Sequence, residues 1–257
     1  MSDGRWVGTS LKRKEDPTLL TGRGSYIDDL TLPGMLHAAM LRSPHAHARI
    51  KGIDVSAALQ VPGVVAILTG KDVAKRALPF MSAIGGPTME FCLAVGKVRH
   101  VGEPVAAVVA TDRYTAEDAR DLIRVDYEPL PAVVDVEEAI APGAPLIYEI
   151  VGSNILWQKT IAWGDPEGAF RKADLIVRDK FYFHRYSATP VETCGVVASY
   201  DPAKGSLTIW DNNHLMMAAP FVSMVLKLPP EKVRFIRHDI GGSYGNKTQL
   251  HNYEVLI

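Results

Sequence analysis

The chain has 257 residues and a net charge of −1, which excludes an electrostatic case for binding nucleic acid or an acidic membrane surface. Its composition, 47% hydrophobic and 22% charged, is that of a chain able to bury a core. Cys92 and Cys194 are too few for a disulfide framework, and no Cys-x-x-Cys pair offers a zinc or cluster site. The basic residues near the start have no apolar core behind them, so the N-terminus does not read as a signal peptide. No segment approaches the roughly 20 apolar residues of a membrane span. The expectation is a cytoplasmic protein with no membrane span and no nucleic-acid partner.

Residues 1–24 read as an extended polar arm. From Tyr26 onward a Pro-Gly turn at Pro33-Gly34 leads into an apolar run from Met35 to Ser43, a buried-strand candidate. His45 and His47 share one face of an extended run, but no third ligand lies nearby in sequence, so a metal site is not expected there. Residues 54–58 read as a short helix and Val64–Leu68 as a strand. A helix then opens at Thr69 or Gly70, and 77–96 reads as a long loop. Val105–Ala110 reads as a buried strand, and a helix capped by Thr115 follows. An alternating strand from Ile123 to Tyr127 is closed by Pro129 and Pro131. Residues 25–135 thus form an α+β or α/β domain, and the Pro/Gly-rich stretch 136–160 is a connector.

The third part, 161–257, opens with a short capped helix after Gly164. Leu175–Val177 starts a strand that the aromatics Phe181–Phe183 continue, a β-favouring composition. Cys194 reads as a buried, inert thiol. Glu192 sits among apolar residues, where a lone carboxylate is costly, so it requires a partner or a ligand. Val196–Tyr200 and Leu207–Trp210 form a hairpin, and a helix over 220–228 ends at Pro229-Pro230. Val233, Phe235 and Ile240 then carry a strand into Gly241-Gly242-Ser243-Tyr244-Gly245, followed by Asn246 and Lys247. Glycines let backbone approach a ligand, successive amides of such a turn converge on an anion, and a following lysine adds charge. The spacing matches neither a Walker loop nor a Rossmann fingerprint. The apolar run HNYEVLI at 251–257 suggests that the fold continues on another polypeptide or beyond a fragment.

Five phrases occur in order: TGRGSYIDDLTLPGMLHAAMLRSPHAHARI, VRHVGEPVAAVVATDRYTAEDARDLIRVDYEPLPAVVD, GDPEGAF, TPVETCGVVASYD and DIGGSYGNK. Together they resemble the N-terminal part of the molybdopterin-binding large subunit of the xanthine dehydrogenase, aldehyde oxidase and aerobic carbon monoxide dehydrogenase family of molybdenum hydroxylases. The resemblance implies an α+β chain: an N-terminal α/β hammerhead domain, then the first part of a mixed α/β molybdenum-cofactor-binding domain. It implies hydroxylation of an aldehyde, N-heterocycle or similar small molecule, with water as oxygen source. The cofactor implied is molybdopterin, in the cytosine dinucleotide form, with molybdenum. The 2Fe-2S clusters and FAD are expected on partner subunits, since two cysteines cannot hold the clusters.

By the same resemblance Gly241, Gly242, Tyr244 and Gly245 match a glycine-rich loop beside the cofactor, where Ser243 replaces a third glycine and Tyr244 a phenylalanine. Glu192 matches a cofactor-proximal glutamate. Tyr186 falls where some members carry a cofactor-contacting glutamine. A Thr-Gln-x-Pro-His phrase of the family reads Asn213-His214-Leu215-Met216-Met217 here, a departure. No catalytic residue and no direct metal ligand is expected in this chain. The family's catalytic glutamate is expected on a second molybdopterin-domain chain. The alternative is a non-catalytic scaffold that binds partners without turnover.

Overall fold

The computed structural model describes residues 7–81, 89–213 and 218–248, with Phe80, Met81 and Met89 described through their backbone alone. After a short helix α1 (Asp16–Leu20), strands β1 (His37–Arg42), β2 (Ala48–Asp54) and β3 (Val64–Thr69) lead into helix α2 (Gly70–Arg76). Next come the short strands β4 (Phe80–Met81), β5 (Met89–Glu90) and β6 (Lys97–Val98), then β7 (Pro104–Ala110), helix α3 (Arg113–Asp121) and β8 (Arg124–Pro129).

Two antiparallel three-stranded sheets, ordered β1-β7-β3 and β6-β2-β8, make the first domain. Strand β7 is central because its sequence permits nothing else. Val105, Ala106, Ala107 and Val108 are at most 1% exposed, and an unbroken apolar run fits only a strand covered on both faces. Ala106 and Val108 pack with Ala119 and Ile123 at the α3 end, while Val105 packs with Ala48 and Val98 of the other sheet. Each fully buried valine contributes roughly 1.5–3 kcal/mol.

Two local readings are corrected. Helix α3 begins earlier than Thr115: its N-cap is Asp112, whose carboxylate accepts from the Thr115 amide at 3.0 Å and also from the Thr115 hydroxyl. An aspartate in extended backbone caps as well as a threonine does, and here it stands at the true start of the turn. Residues 54–58 hold no α-helix; a 3-10 turn at Ala58–Gln60 takes its place. His47 is buried against the Pro131 carbonyl at 2.7 Å and His45 packs on the Tyr127 ring, so both serve the core. No cluster of three or more metal-ligating side chains occurs among the described residues.

The connector carries helix α4 (Val136–Ala139), capped by Asp135. Lys97 is buried and ties it down by donating to the Ile147 carbonyl and to Glu149, both within 2.9 Å. Helix α5 (Pro166–Lys172) is capped by Asp165. The strand expected over 175–184 does not form: the segment is extended but pairs with no other strand among the described residues. A strand needs a neighbour, and this stretch finds none here.

The remaining elements are strands β9 (Val196–Asp201) and β10 (Ser206–Asp211), helix α6 (Ala218–Leu226) and strand β11 (Val233–Arg237). Their sheet is ordered β11-β10-β9, with β9 antiparallel and β11 parallel to β10. Helix α6 covers it through Val222. Its Val225 side chain packs with Val73, Ala77, Cys92 and Leu93 of the first domain, and the Val225 carbonyl accepts from the Leu78 amide. The small sheet is therefore anchored to the hammerhead. Met224 of α6 is 46% exposed and takes no part in that packing, while Met216 and Met217 lie outside the described residues.

Candidate functional site

Strands β10 and β11 run parallel and end at the same edge of the sheet. Beyond β10 come Asn212 and Asn213; beyond β11 come His238, Asp239 and the glycine loop 241–245. A third segment, Thr189–Gly195, crosses the same edge as a strap. Asn212 is buried and pins it twice, accepting from the Gly195 amide at 3.1 Å and donating to the Thr193 carbonyl at 2.8 Å.

Glu192 joins strap and loop. Its amide donates to the Gly241 carbonyl at 3.2 Å, and its Oε2 accepts from the Gly241 amide at 2.8 Å. The same Oε2 accepts from Lys247 Nζ at 2.6 Å. Lys247 is 1% exposed, so this is a buried charge pair closing the loop from its far end. The partner demanded for Glu192 by its apolar surroundings is thus a lysine 55 residues away. Burial pushes the Glu192 carboxyl up, but the Lys247 ammonium, the Gly241 amide and a weaker contribution from Asn212 together hold it below its ordinary value. Oε1 is buried without a hydrogen bond of normal geometry among the described residues.

Gly241 is glycine for a steric reason: a Cβ there would stand 2.5 Å from Glu192 Cβ. Gly242 and Gly245 hold φ of +96° and +91°, and Tyr244 holds +49°, the left-handed region that glycine adopts without strain. Ser243, which replaces a glycine, serves the turn: its carbonyl accepts from the Asn246 amide at 2.9 Å and its hydroxyl from the Lys247 amide at 3.2 Å. The amides of Gly242, Ser243, Tyr244 and Gly245 make no hydrogen bond among the described residues. The Tyr244 ring is 80% exposed. Such a loop, with consecutive unpaired amides and no side chain on its glycines, suits a ligand rich in acceptors.

The floor of this edge comes from the start of the first domain. Ser25 exchanges hydrogen bonds with Asp239, its amide to the carboxylate and the Asp239 amide to its carbonyl, both at 2.9 Å. Ile27 is buried under Gly195, where a Cβ would lie 2.7 Å from it. Asp211, at the end of β10, is fully buried beside Arg237 at 3.6 Å, and burial pushes its carboxyl up to about 6.

The structure therefore brings Glu192 and the loop Gly241–Gly245 together. Tyr186 lies instead on an exposed extended segment, with its ring edge-on to Phe183 at 5.6 Å. Residues 214–217 of the divergent phrase and the HNYEVLI run lie outside the described residues. Lys247, read from the sequence as adding charge to the loop, is instead the partner of Glu192. Asn212 and Ser25 escaped attention as site residues and carried no sequence signal. Cys194 is half-buried rather than buried, and Cys92 is the buried thiol, pushed up to about 11 by burial.

A family profile described as the a/b hammerhead domain of aldehyde oxidase and xanthine dehydrogenase matches residues 21–131, and one for a molybdopterin cofactor-binding domain matches 147–257. The carbon monoxide dehydrogenase large chain of Afipia carboxidovorans is 42% identical over 96% of this chain and 32% of its own length. The nicotinate dehydrogenase large molybdopterin subunit of Eubacterium barkeri is 33% identical over 96% of this chain and 57% of its own length. The crystal structure of quinoline 2-oxidoreductase from Pseudomonas putida 86 superposes with a TM-score of 0.90 at 40% identity, covering 97% of this chain and 32% of that one. The chain thus spans about a third of the length of the first curated relatives it matches.

Proposed function

The chain belongs to the xanthine dehydrogenase, aldehyde oxidase and carbon monoxide dehydrogenase family of molybdenum hydroxylases, matching the N-terminal part of their molybdopterin-binding large subunits, and from this premise we propose that residues 189–195 and 241–247 form one wall of a molybdenum-cofactor site. The observation that carries this reading is the run of amides from Gly242 to Gly245 that make no hydrogen bond among the described residues, held in place by the buried Glu192–Lys247 pair. When bound, the molybdenum cofactor supplies the redox chemistry that hydroxylates an aldehyde, N-heterocycle or similar small molecule with oxygen from water.

The chain's own residues bind and orient. The loop amides donate to acceptors on the cofactor, and the glycines admit it to the backbone. Glu192 spends Oε2 on Lys247 and Gly241, leaving Oε1 without a hydrogen bond of normal geometry among the described residues. Tyr244 offers a hydroxyl at the exposed tip of the loop, and Tyr186 is proposed to reach the cofactor from the strap side. The family likeness supports proposing the cytosine dinucleotide form, 2Fe-2S and FAD on partner subunits, and a cytoplasmic location.

The catalytic glutamate is proposed to lie on a second molybdopterin-domain chain. The Eubacterium barkeri relative supports a divided unit: this chain spans 57% of it, against about a third of the others, so a large molybdopterin subunit of much shorter length exists in the family. The test is to purify the chain from its native cells and assay metal and pterin. Molybdenum in stoichiometric amount, lost from a Gly241→Ala variant, is the expected result. A native assembly free of molybdenum sinks the reading in favour of a scaffold without turnover.

A further inference from the structure

Three non-glycine residues among those described hold a positive φ: Thr189 at +37°, Lys227 at +57° and Tyr244 at +49°. Lys227 has an ordinary cause. It follows the last residue of α6, where the Leu228 amide donates back to the Ser223 carbonyl at 3.0 Å and the Lys227 amide to the Met224 carbonyl at 3.3 Å, the left-handed close of a helix. Thr189 and Tyr244 have no such cause. Thr189 is the harder case. It is β-branched and precedes Pro190, and each feature drives a residue toward extended backbone. Its side chain makes no hydrogen bond among the described residues, so nothing local offsets the strain.

Both strained residues lie on the candidate site, one on the strap and one on the loop, and their rings meet at one glycine. A Cβ at Gly242 would stand 3.3 Å from Pro190 Cβ and 3.2 Å from Tyr244 Cε2. Strained backbone of this kind costs of order 1–3 kcal/mol and persists only where its surroundings hold it. Here the hold is polar. Glu192, on the same strap as Thr189, bonds the Gly241 carbonyl through its amide, and the Gly241 amide and Lys247 through Oε2. The far end of the strap is fixed separately, by Asn212 at Thr193 and Gly195. The stretch from Thr189 to Glu192 is therefore the part free to swing, with its strain at one end and its fastening at the other.

We propose that Thr189 is the strained hinge of a two-state clamp on the glycine loop. In the closed arrangement, the one seen here, Pro190 stands against Gly242 and Glu192 holds Gly241 and Lys247. In the open arrangement Thr189 relaxes into extended backbone, the strap lifts from Gly242, and Glu192 and Lys247 both meet water. Neither charge is then left buried alone, which is what makes the opening affordable in energy. The inference rests on the reading of strap and loop as one wall of a molybdenum-cofactor site, and it gives that wall a way in: the open clamp admits the cofactor and the closed one retains it.

The test is amide hydrogen exchange at Glu192 and Gly241 in the protein purified from its native cells, with Val108 of β7 as the reference. Asparagine tolerates positive φ and valine does not. Thr189→Asn is expected to slow exchange at both amides about fivefold, and Thr189→Val to leave it within about twofold. In unmodified protein from molybdenum-starved cells both amides are expected to exchange at least about tenfold faster than in protein from replete cells. Val108 is expected to be unchanged throughout. Unchanged or faster exchange in Thr189→Asn overturns the proposal. So does an equal slowing in Thr189→Val, which would make the hydroxyl the cause and not the backbone. In protein that carries molybdenum, equal exchange with and without the metal also overturns it. Molybdenum measured in the same samples keeps the two readings apart. A loaded protein in which Thr189→Asn changes nothing overturns this inference alone. Slowed exchange in Thr189→Asn, in a protein free of molybdenum even from replete cells, overturns the cofactor reading and leaves the hinge standing.

Discussion

The two halves of this chain solve the burial problem in opposite ways. The hammerhead wraps an apolar strand, β7, between β1 and β3 and seals it with α3, so its best hydrophobic residues are dry. The second half shields one small sheet with α6 and leaves a ribbon of Leu, Val and Phe in water. The first buries its apolar strand on both faces, whereas the second leaves much of its apolar surface exposed among the described residues. Residue type does not separate them, since Val108 and Val177 are chemically identical; their neighbours do.

The sharpest way to break this comparison is to place a charge in each half. Val108→Asp buries an unpaired carboxylate in β7 and is expected to cost more than about 4 kcal/mol, enough to unfold the hammerhead in a urea titration. Phe181→Asp, on a residue 89% exposed, is expected to change stability by less than about 0.5 kcal/mol. A large loss of stability from the second substitution would show that the ribbon is already packed.

Next comes the buried pair. Lys247→Met strands the Glu192 carboxylate in a dry site and is expected to cost about 3 kcal/mol, read by local amide exchange in the loop. Glu192→Gln on the same background should recover part of that loss. The pH dependence has a definite sign. The folded-state value of Glu192 lies below its ordinary 4.5, so its contribution is complete above that pH and fades as pH falls through the folded value. Acid should therefore loosen the loop, and Lys247→Met should abolish that step.

Asp211 runs the other way. Its folded value is raised from 3.8 to about 6, so the folded state holds the proton more tightly and stability falls as pH rises through this window. Asp211→Asn is expected to stabilise the chain by about 2 kcal/mol at pH 7.5 and by almost nothing below pH ~4, measured by denaturant unfolding at both. The smallest effect is expected on the surface: Asp28→Asn removes an exposed pair with Arg113 and should cost under about 0.5 kcal/mol.

Much of the hammerhead was legible because its signals are local. The β7 run, the α2 opening at Thr69 and the Pro129 stop each specify their own conformation over a few residues. The cap of α3 was misplaced because Asp112 and Thr115 are both competent caps, and only the path of the chain after β7 selects between them. The 175–184 strand was misread for a deeper reason. Its side chains favour β structure, but pairing is a property of two segments, and no strand among the described residues pairs with it.

What the sequence determined alone is what short-range chemistry determines: which runs are apolar, where the backbone must turn, and that a glycine loop and a lone carboxylate near the end of the chain have a ligand or a partner to find. Only the tertiary structure decided that Glu192 meets Lys247 across 55 residues, that Asn212 and Ser25 hold strap and loop at one sheet edge, and that four amides of the loop make no hydrogen bond among the described residues. Those facts depend on β10 and β11 lying parallel and ending together. A parallel register is fixed by long-range packing, which no local pattern encodes.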